Sequence, residues 1–209
     1  MAYFKWTFRI LLIVLIGGFL HYTLPQRDIV RIVNTYEERQ DFGGWNSIFW
    51  SSGSAGTSET PVNRDVLFIS TKTADDDTIV FRNEDTGWGW PPYFKFDTAD
   101  LQAEAADITS TNEAPEWVAV RHYGWRNTWL SIFPNATSIK AVPSPDTRLI
   151  PWFNIIFLTI MTILSLTIWR LWRNFRQARI DPVFDEIDET ADAARGRLAG
   201  WFNRLFGRR

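Results

Sequence analysis

Two apolar blocks near the ends of the chain constrain its fold more than any other feature. The first block, residues 4–24, contains an uninterrupted apolar run over residues 10–20, and the second block spans residues 150–172. A helix needs about 20 mostly apolar residues to cross the hydrocarbon core of a bilayer. Both blocks therefore predict transmembrane helices, and the more polar residues between them predict one domain outside the membrane.

The first block also has the features of a secretory signal peptide, because Lys5 and Arg9 precede a short apolar core. Signal peptides are cleaved after small residues, whereas residues 19–22 are all bulky. The sequence therefore favours a membrane anchor that is retained in the mature protein.

Cations beside the second block predict the orientation. Arg170, Arg173, Arg176 and Arg179 follow it in close succession. Because Lys and Arg next to a span stay on the cytoplasmic side, both termini are predicted to be cytoplasmic. The predicted parts are an anchor (residues 1–24), an outer domain (25–149), a second transmembrane helix (150–172) and a cytoplasmic basic segment with an amphipathic helix (173–209).

The outer domain has the pattern of a small β-rich fold. β-branched and aromatic residues alternate with Gly, Asn and Pro turns, which is typical of short strands in a barrel or a sandwich. Leu101, Ala105 and Ile108 repeat at helical spacing, so one short helix is predicted over residues 97–106. Residues 43–61, rich in Gly, Ser and Thr, predict a flexible loop. The predicted strands cover residues 28–33, 65–70, 78–81, 93–96, 117–123 and 136–142.

The last segment predicts an amphipathic helix. Asp181 followed by Pro182 is typical of a helix start. Apolar residues then recur at steps of three and four, beside arginines near the end of the chain. This combination favours a helix that lies on an anionic lipid surface or packs on a partner protein. The residues predicted to face the membrane are Phe184, Ile187, Leu198, Trp201, Phe202, Arg204, Leu205 and Arg208.

Composition and motifs argue against several classes of function. The chain has no cysteine, so it has no disulfide, thiolate ligand or cysteine nucleophile. Common hydrolase, zinc-protease and phosphate-loop motifs are absent from the sequence, and His21 and His122 are interpreted as structural. A net charge of −2 disfavours a protein that coats nucleic acid. The sequence predicts a non-enzymatic protein without a cofactor or metal, although the three aspartates at 75–77 leave calcium as an alternative to a solvated turn.

Two aromatic clusters, at residues 87–93 and 123–129, are the most unusual feature of the outer domain. Tryptophans on Gly- and Pro-containing loops stack on sugars or anchor partners. The same residues also occur in the cores of small β domains or at lipid headgroups, and this second interpretation is favoured. The candidate interaction residues are Trp88, Trp90, Trp125, Arg126 and Trp129.

Three segments carry a family resemblance: His-Tyr-Thr-Leu-Pro-Gln-Arg-Asp-Ile-Val-Arg-Ile at residues 21–32, Tyr-Gly-Trp-Arg at 123–126 and Ser-Ile-Phe-Pro-Asn-Ala at 131–136. Through these segments the chain resembles a family of uncharacterised inner-membrane proteins of alphaproteobacteria, catalogued as a domain of unknown function. The resemblance implies a bacterial inner membrane and a periplasmic middle domain, and it implies no activity.

Taken together, these patterns predict a membrane α + β protein with two transmembrane helices flanking a small periplasmic β-rich domain. Its predicted role is that of a non-enzymatic accessory or scaffold protein that presents this domain close to the bilayer. The predicted partners are the lipid bilayer and either a membrane protein or a second copy of the chain. The alternative is a periplasmic module that binds a glycan or lipid headgroup through exposed tryptophan loops.

Overall fold

The computed structural model describes residues 2–41, 63–183, 190, 193 and 195–198. The chain divides into two compact units, Met1–Pro151 and Trp152–Arg209. The predicted loop at residues 43–61 lies outside the described residues. Of the predicted membrane-facing tail residues, Leu198 is described and is exposed; Phe184, Ile187, Trp201, Phe202, Arg204, Leu205 and Arg208 lie outside.

The first unit is a helix followed by a five-stranded barrel. Its strands close in the order β1-β2-β3-β5-β4, and neighbouring strands are antiparallel except for the parallel pair β3 and β5. This order, with a helix between the third and fourth strands, is the Greek-key topology of the OB fold. The fold is therefore a barrel and not a sandwich. Its elements are α1 (Ala2–Thr23), β1 (Gln26–Asp41), β2 (Asn63–Lys72), β3 (Thr78–Asn83), α2 (Thr98–Asp107), β4 (Trp117–Tyr123) and β5 (Asn135–Ala141).

Strand β1 closes the barrel because it is long and bent. Its first residues pair with β4 and its later residues pair with β2, with a register shift between Ile32 and Asn34. A bulge of this kind bends a strand and increases its local twist. The prediction for residues 28–33 captured only the first half, because the residues from Asn34 onward are mostly polar and carry no apolar alternation.

Apolar side chains fill the barrel, and α2 adds two of them. Leu101 and Ala105 of α2 are buried in the same cluster as the inward-facing residues of the strands. The helix predicted over residues 97–106 is therefore confirmed to within one residue at each end. The buried strand residues in this cluster are Val30, Ile32, Ile69, Phe81, Val118, Val120, Ala136 and Ile139.

The strand predicted at residues 93–96 is wrong, because this segment has no strand structure. Its alternation has another origin: Lys95 is buried, whereas Phe94 and Phe96 on either side are exposed. Phe94 also adopts a left-handed backbone conformation with φ of +51°, which an extended strand does not contain. The segment belongs to a loop between β3 and α2.

The second unit begins with α3 (Trp152–Phe175), which has no buried residue in the described structure. A π-helical turn, Arg176–Ile180, continues it, and residues 181–183 are helical too. The helix start predicted at Asp181 is therefore wrong, since Asp181 has helical backbone angles. Proline has no backbone N–H to donate within a regular helix, and the wider π-helical turn that precedes Pro182 accommodates this residue. Both α1 and this long helix are long and apolar enough to cross a membrane.

Candidate functional site

Both aromatic loops leave the barrel at the end where α1 joins it. Gln26, at the start of β1, pairs with His122, so the loop that follows β4 begins beside the end of α1. Arg82 near the end of β3 pairs with Asn135 at the start of β5, which places the loop after β3 at the same end. We name residues 84–97 the first aromatic loop and residues 124–134 the second aromatic loop.

The acidic turn at residues 73–77 lies at the opposite end of the barrel. Lys72 pairs with both Arg31 and Thr78, well away from the aromatic loops. Within the turn, Lys72 Nζ lies 2.6 Å from Asp76 Oδ1, and this contact lowers the pKa of Asp76. These contacts favour the solvated-turn interpretation of the three aspartates over a calcium site.

A tryptophan from each loop packs on the last turns of α1. The Trp90 ring stacks on Phe19 with a centroid distance of 5.6 Å. The Trp125 ring lies 3.8 Å from the position of a Cβ on Gly18, and its Nε1 donates a hydrogen bond to His21 Nδ1 at 3.0 Å. Phe19 precedes the helix end at Thr23 by four residues, or about 6 Å along the axis. Both indoles therefore extend along the side of the apolar helix.

The loops also bind the backbone at the end of α1. Gly124 N donates to Tyr22 O at 2.9 Å, and the Tyr93 hydroxyl donates to Thr23 O at 2.6 Å. Carbonyls at a helix C-terminus lack partners within the helix, so these bonds satisfy two of them. Gly124 has a φ of +95°, a conformation that favours glycine. Burial raises the pKa of Tyr93, which keeps its hydroxyl protonated as a donor.

Around these contacts, six large aromatic side chains remain exposed. We call them the aromatic collar: Trp88, Trp90, Phe94, Phe96, Trp125 and Trp129, which are between 40% and 95% exposed. The Trp88 ring makes edge contacts with Phe94 and Phe96 at centroid distances of 5.3 and 6.2 Å. A group of exposed aromatic rings on one face marks an interaction surface in many proteins. The left-handed backbone of Phe94 is a local strain of the kind that clusters at functional sites.

The structure brings four of the five predicted interaction residues into the collar. Their exposure contradicts the interpretation that they fill the core of the barrel. Arg126 has a different role, since its guanidinium lies 4.3 Å from the Phe133 ring centroid and donates to Ile132 O at 3.0 Å. Phe94 and Phe96 were missed because their alternation with Lys95 resembles a strand.

A buried polar network lies behind the collar. Arg82 Nη1 is 2.8 Å from Glu84 Oε2, and both side chains are buried. The Asn135 side chain accepts from Glu84 N at 2.9 Å, and it donates to Glu84 O at 3.0 Å and to the Tyr123 hydroxyl at 3.1 Å. Since β3 and β5 share one paired position, these side-chain bonds complete the closure of the barrel where the first aromatic loop begins.

Lys95 anchors the middle of the first aromatic loop from inside. Its ammonium donates to Asn83 Oδ1 and to Ala136 O, the latter at 2.9 Å. Burial lowers the pKa of Lys95 to about 8, although nearby carboxylates including Asp97 act in the opposite direction. At neutral pH most molecules therefore still carry the Lys95 charge, and they lose it at a lower pH than an ordinary lysine does.

We expect the barrel to gain stability between about pH 8 and pH 10. In this range the unfolded chain keeps Lys95 protonated, with its ordinary pKa of 10.5, while the folded chain releases the proton. The unfolded state then binds more protons, so the free energy of unfolding rises with pH, by roughly 3 kcal/mol at most. Thermal unfolding of the full-length protein in detergent, followed by near-ultraviolet circular dichroism, measures this rise.

Lys95→Met should remove most of that pH dependence, and Lys72→Met is the matched control because Lys72 lies in a partly exposed ion pair. If the free energy of unfolding rose equally with pH in the parent and in Lys95→Met, the result would contradict the assignment of this pH dependence to Lys95. Above about pH 10 the trend should reverse, because burial raises the pKa of Tyr93 and Tyr123 and the unfolded tyrosines ionise first.

The two histidines have structural contacts. His21 accepts the Trp125 hydrogen bond described above. His122 is buried, with its ring 5.0 Å from Phe81 and its Nε2 3.0 Å from Asp28 Oδ2. Within the described part of the chain, no group of three or more His, Asp and Glu side chains is arranged to hold a metal ion.

Comparison with known proteins identifies a family. The model of the family described as "Protein of unknown function (DUF1523)" matches residues 1–176. The chain is also similar to an uncharacterized protein of Haemophilus influenzae, with 36% identity over 163 residues that cover 75% of this chain and 87% of the relative. No solved structure matches the chain. The chain belongs to the DUF1523 family, which confirms the resemblance to a family of unknown function. The attribution of that family to alphaproteobacteria is not confirmed by the relative from Haemophilus influenzae.

Proposed function

We propose that this DUF1523 family member is a non-enzymatic accessory or scaffold protein of the bacterial inner membrane, whose barrel rests on the outer leaflet through the aromatic collar. One observation carries the proposal: Trp90 and Trp125 pack beside Phe19 and Gly18, within the apolar length of α1. If α1 crosses a bilayer, these indoles lie at the boundary between lipid and water, where tryptophan is enriched.

The length of α1 supports this placement. The apolar stretch Tyr3–Thr23 has 21 residues, which is about 31 Å of helix and close to the hydrocarbon thickness of roughly 30 Å. Thr23 then lies at the outer edge of the hydrocarbon, and Phe19 lies about 6 Å deeper. Because both aromatic loops bind the end of α1, the exposed collar rings face the headgroup region.

The orientation is supported by the arginines that follow the second helix, since cations beside a span are retained in the cytoplasm. The barrel is then periplasmic, and the arginines that follow the second helix are cytoplasmic. The accessory role consists of holding the barrel at a defined height, where a membrane-protein partner or a second copy docks. Crosslinking in native membranes tests for that partner.

A labelling experiment tests the orientation. The chain has no cysteine, so Asp75→Cys at the acidic turn and Arg179→Cys after α3 each introduce a single reactive site. With the outer membrane permeabilised, a membrane-impermeant maleimide should label position 75 in intact cells and position 179 only after lysis. The reverse pattern would contradict a periplasmic barrel.

A second candidate function is the binding of a glycan or a lipid headgroup by the collar itself. Trp88 and Trp129, which are 85% and 95% exposed, favour it because an open indole face stacks on a sugar ring. The two functions differ in what the rings touch in a membrane. If lipid shields the Trp129 indole from a water-soluble fluorescence quencher, the membrane-resting role is favoured. If a soluble oligosaccharide shields it instead, glycan binding is favoured.

A further inference from the structure

A cleft opens between the first aromatic loop and the strands β4 and β5. It has a volume of about 390 Å³, within the range of small-molecule sites. Aromatic rings, hydroxyl groups and charges of both signs line it, so it offers a ligand both apolar and polar contacts. The loop side includes Phe94, Lys95, Phe96 and Asp97, and the strand side includes Arg121 and Ser138.

The charged groups of the cleft already interact within the protein. The Lys95 ammonium donates to Asn83 Oδ1 and Ala136 O. Asp97 in turn lies close enough to Lys95 for its carboxylate to stabilise the ammonium charge. Arg121 also has interactions of its own within the protein. Because these charges are already engaged, the cleft suits a ligand that is polar but uncharged.

The polar groups of the cleft keep hydrogen-bonding capacity for such a ligand. Asp97 occupies the N-cap position of α2, yet its side chain makes no capping hydrogen bond. Asp85 Oδ1 takes that role instead, accepting from Thr98 N at 3.1 Å. A carboxylate has about four acceptor positions, so Asp97 has positions left for a ligand while Lys95 stabilises its charge. Ser138 is exposed on β5, and its hydroxyl both donates and accepts.

Two aromatic rings provide the apolar contacts of the cleft. Phe94 and Phe96 are 53% and 59% exposed, and Trp88 makes edge contacts with both rings. The face of an aromatic ring is electron-rich and attracts the polarised C–H groups of a sugar ring. Sugar hydroxyls are donors and acceptors at once, so they match a carboxylate and a serine hydroxyl beside these rings.

We propose that this cleft binds a neutral pyranose sugar. Phe94 and Phe96 stack on the C–H face of the sugar ring, and Asp97 and Ser138 bind its hydroxyl groups. The inference rests on the second candidate function and deepens it, because it places the sugar in the cleft instead of on the open Trp129 indole. The membrane-resting role of the collar does not depend on it. A soluble glycan and the sugar headgroup of a glycolipid share this chemistry and are separated by the experiment.

Saturation-transfer NMR of the full-length protein in lipid nanodiscs tests the assignment, with the neutral trisaccharides of glucose and of N-acetylglucosamine as probes. At least one of them should bind with a Kd of about 1 mM or lower. Sorbitol, which has hydroxyl groups but no ring, should bind about tenfold more weakly because it cannot stack. Phe96→Ala should weaken trisaccharide binding about tenfold, and Asp97→Asn about fivefold through loss of a charge-assisted hydrogen bond. Ser138→Trp, which fills the cleft from β5 and leaves the loop unchanged, should block binding.

Trp129→Ala is the matched control, because it removes an exposed aromatic side chain from the second aromatic loop, outside the cleft. It should leave trisaccharide binding unchanged. Loss of binding in Trp129→Ala, with none in Phe96→Ala or Ser138→Trp, would overturn the cleft assignment and leave the second candidate function standing. If neither trisaccharide bound the parent protein, both would be overturned. Tighter binding of glucuronate than of methyl glucoside would overturn the assignment to an uncharged sugar.

Monoglucosyl diacylglycerol added to the nanodisc separates the two sources of the sugar. Displacement of the trisaccharide by this lipid, but not by diacylglycerol, assigns the cleft to a glycolipid headgroup. Undiminished trisaccharide binding assigns it to a soluble glycan. A spin label at position 128 reports the depth of the collar on the same protein, so a collar in lipid with no sugar binding refutes the cleft assignment and leaves the membrane-resting role standing.

Discussion

Glu84→Gln is expected to lower the free energy of unfolding of the barrel by about 3–5 kcal/mol, because it leaves the buried Arg82 guanidinium without its carboxylate. Arg82 and Glu84 are 3% and 7% exposed and are joined at 2.8 Å. Water cannot readily solvate the remaining cation, so the part of its desolvation penalty that Glu84 offset is lost. Chemical denaturation of the full-length protein in detergent, followed by near-ultraviolet circular dichroism, measures the change.

Asp76→Asn is the matched control, since it removes a carboxylate from an ion pair of similar length at the opposite end of the barrel. Asp76 is exposed, so its substitution should produce little measurable change. Similar midpoint shifts for the two variants would contradict the structural role assigned to the buried pair.

The buried pair of Arg82 and Glu84 also holds the start of the first aromatic loop, which carries part of the collar. Glu84 is the first residue of the first aromatic loop, and Asn135 at the start of β5 binds both its N–H and its carbonyl. Weakening this junction should loosen the loop that carries Trp88 and Trp90. We therefore expect Glu84→Gln to increase proteolytic cleavage within residues 84–97 before the rest of the barrel unfolds.

The sequence was sufficient to predict elements whose signal is local. The two apolar helices follow from hydropathy, and α2 follows from the spacing of Leu101 and Ala105. Strand β4 was predicted with the bounds it has, because residues 117–123 are rich in β-branched and aromatic residues. Strand β5 was predicted to within one residue.

The remaining features depend on contacts that local patterns do not encode. The second half of β1 is polar and becomes a strand because β2 pairs with it through to Asn63. The contact of Trp125 with His21 joins residues 104 positions apart. No periodicity predicts such a contact, so the tryptophans were recognised as unusual without their position at the end of α1.

The buried polar groups could not be predicted from local sequence patterns either. Arg82, Glu84 and Lys95 appear in the sequence as ordinary surface charges, since charged residues are rarely buried unless paired. Only the barrel topology brings Arg82 beside Asn135 and places Lys95 under the loop. The exposed state of Phe94 likewise depends on a left-handed backbone angle at a residue that is not glycine.

Replacement of both Trp90 and Trp125 by alanine is expected to release the collar from the lipid surface. The two indoles provide the aromatic contacts with Phe19 and Tyr22 and the hydrogen bond to His21. Each aromatic contact contributes about 0.5–1.5 kcal/mol beyond its buried area, and the indoles also favour the membrane interface. A spin label near Trp129 should become several-fold more accessible to a water-soluble relaxing agent. Trp117→Ala, at the opposite end of the barrel, is the matched control and should leave the label unchanged.

The central claim, that the collar of the parent protein lies in the outer leaflet, is tested most directly by the depth of single spin labels. Thr128→Cys places a label beside Trp129 in the second aromatic loop, and Asp75→Cys places one at the acidic turn. In bilayers of inner-membrane lipids, the label at position 128 should collide mainly with oxygen and the label at position 75 mainly with a water-soluble nickel chelate. Equal and high nickel accessibility at both positions would contradict the membrane-resting barrel.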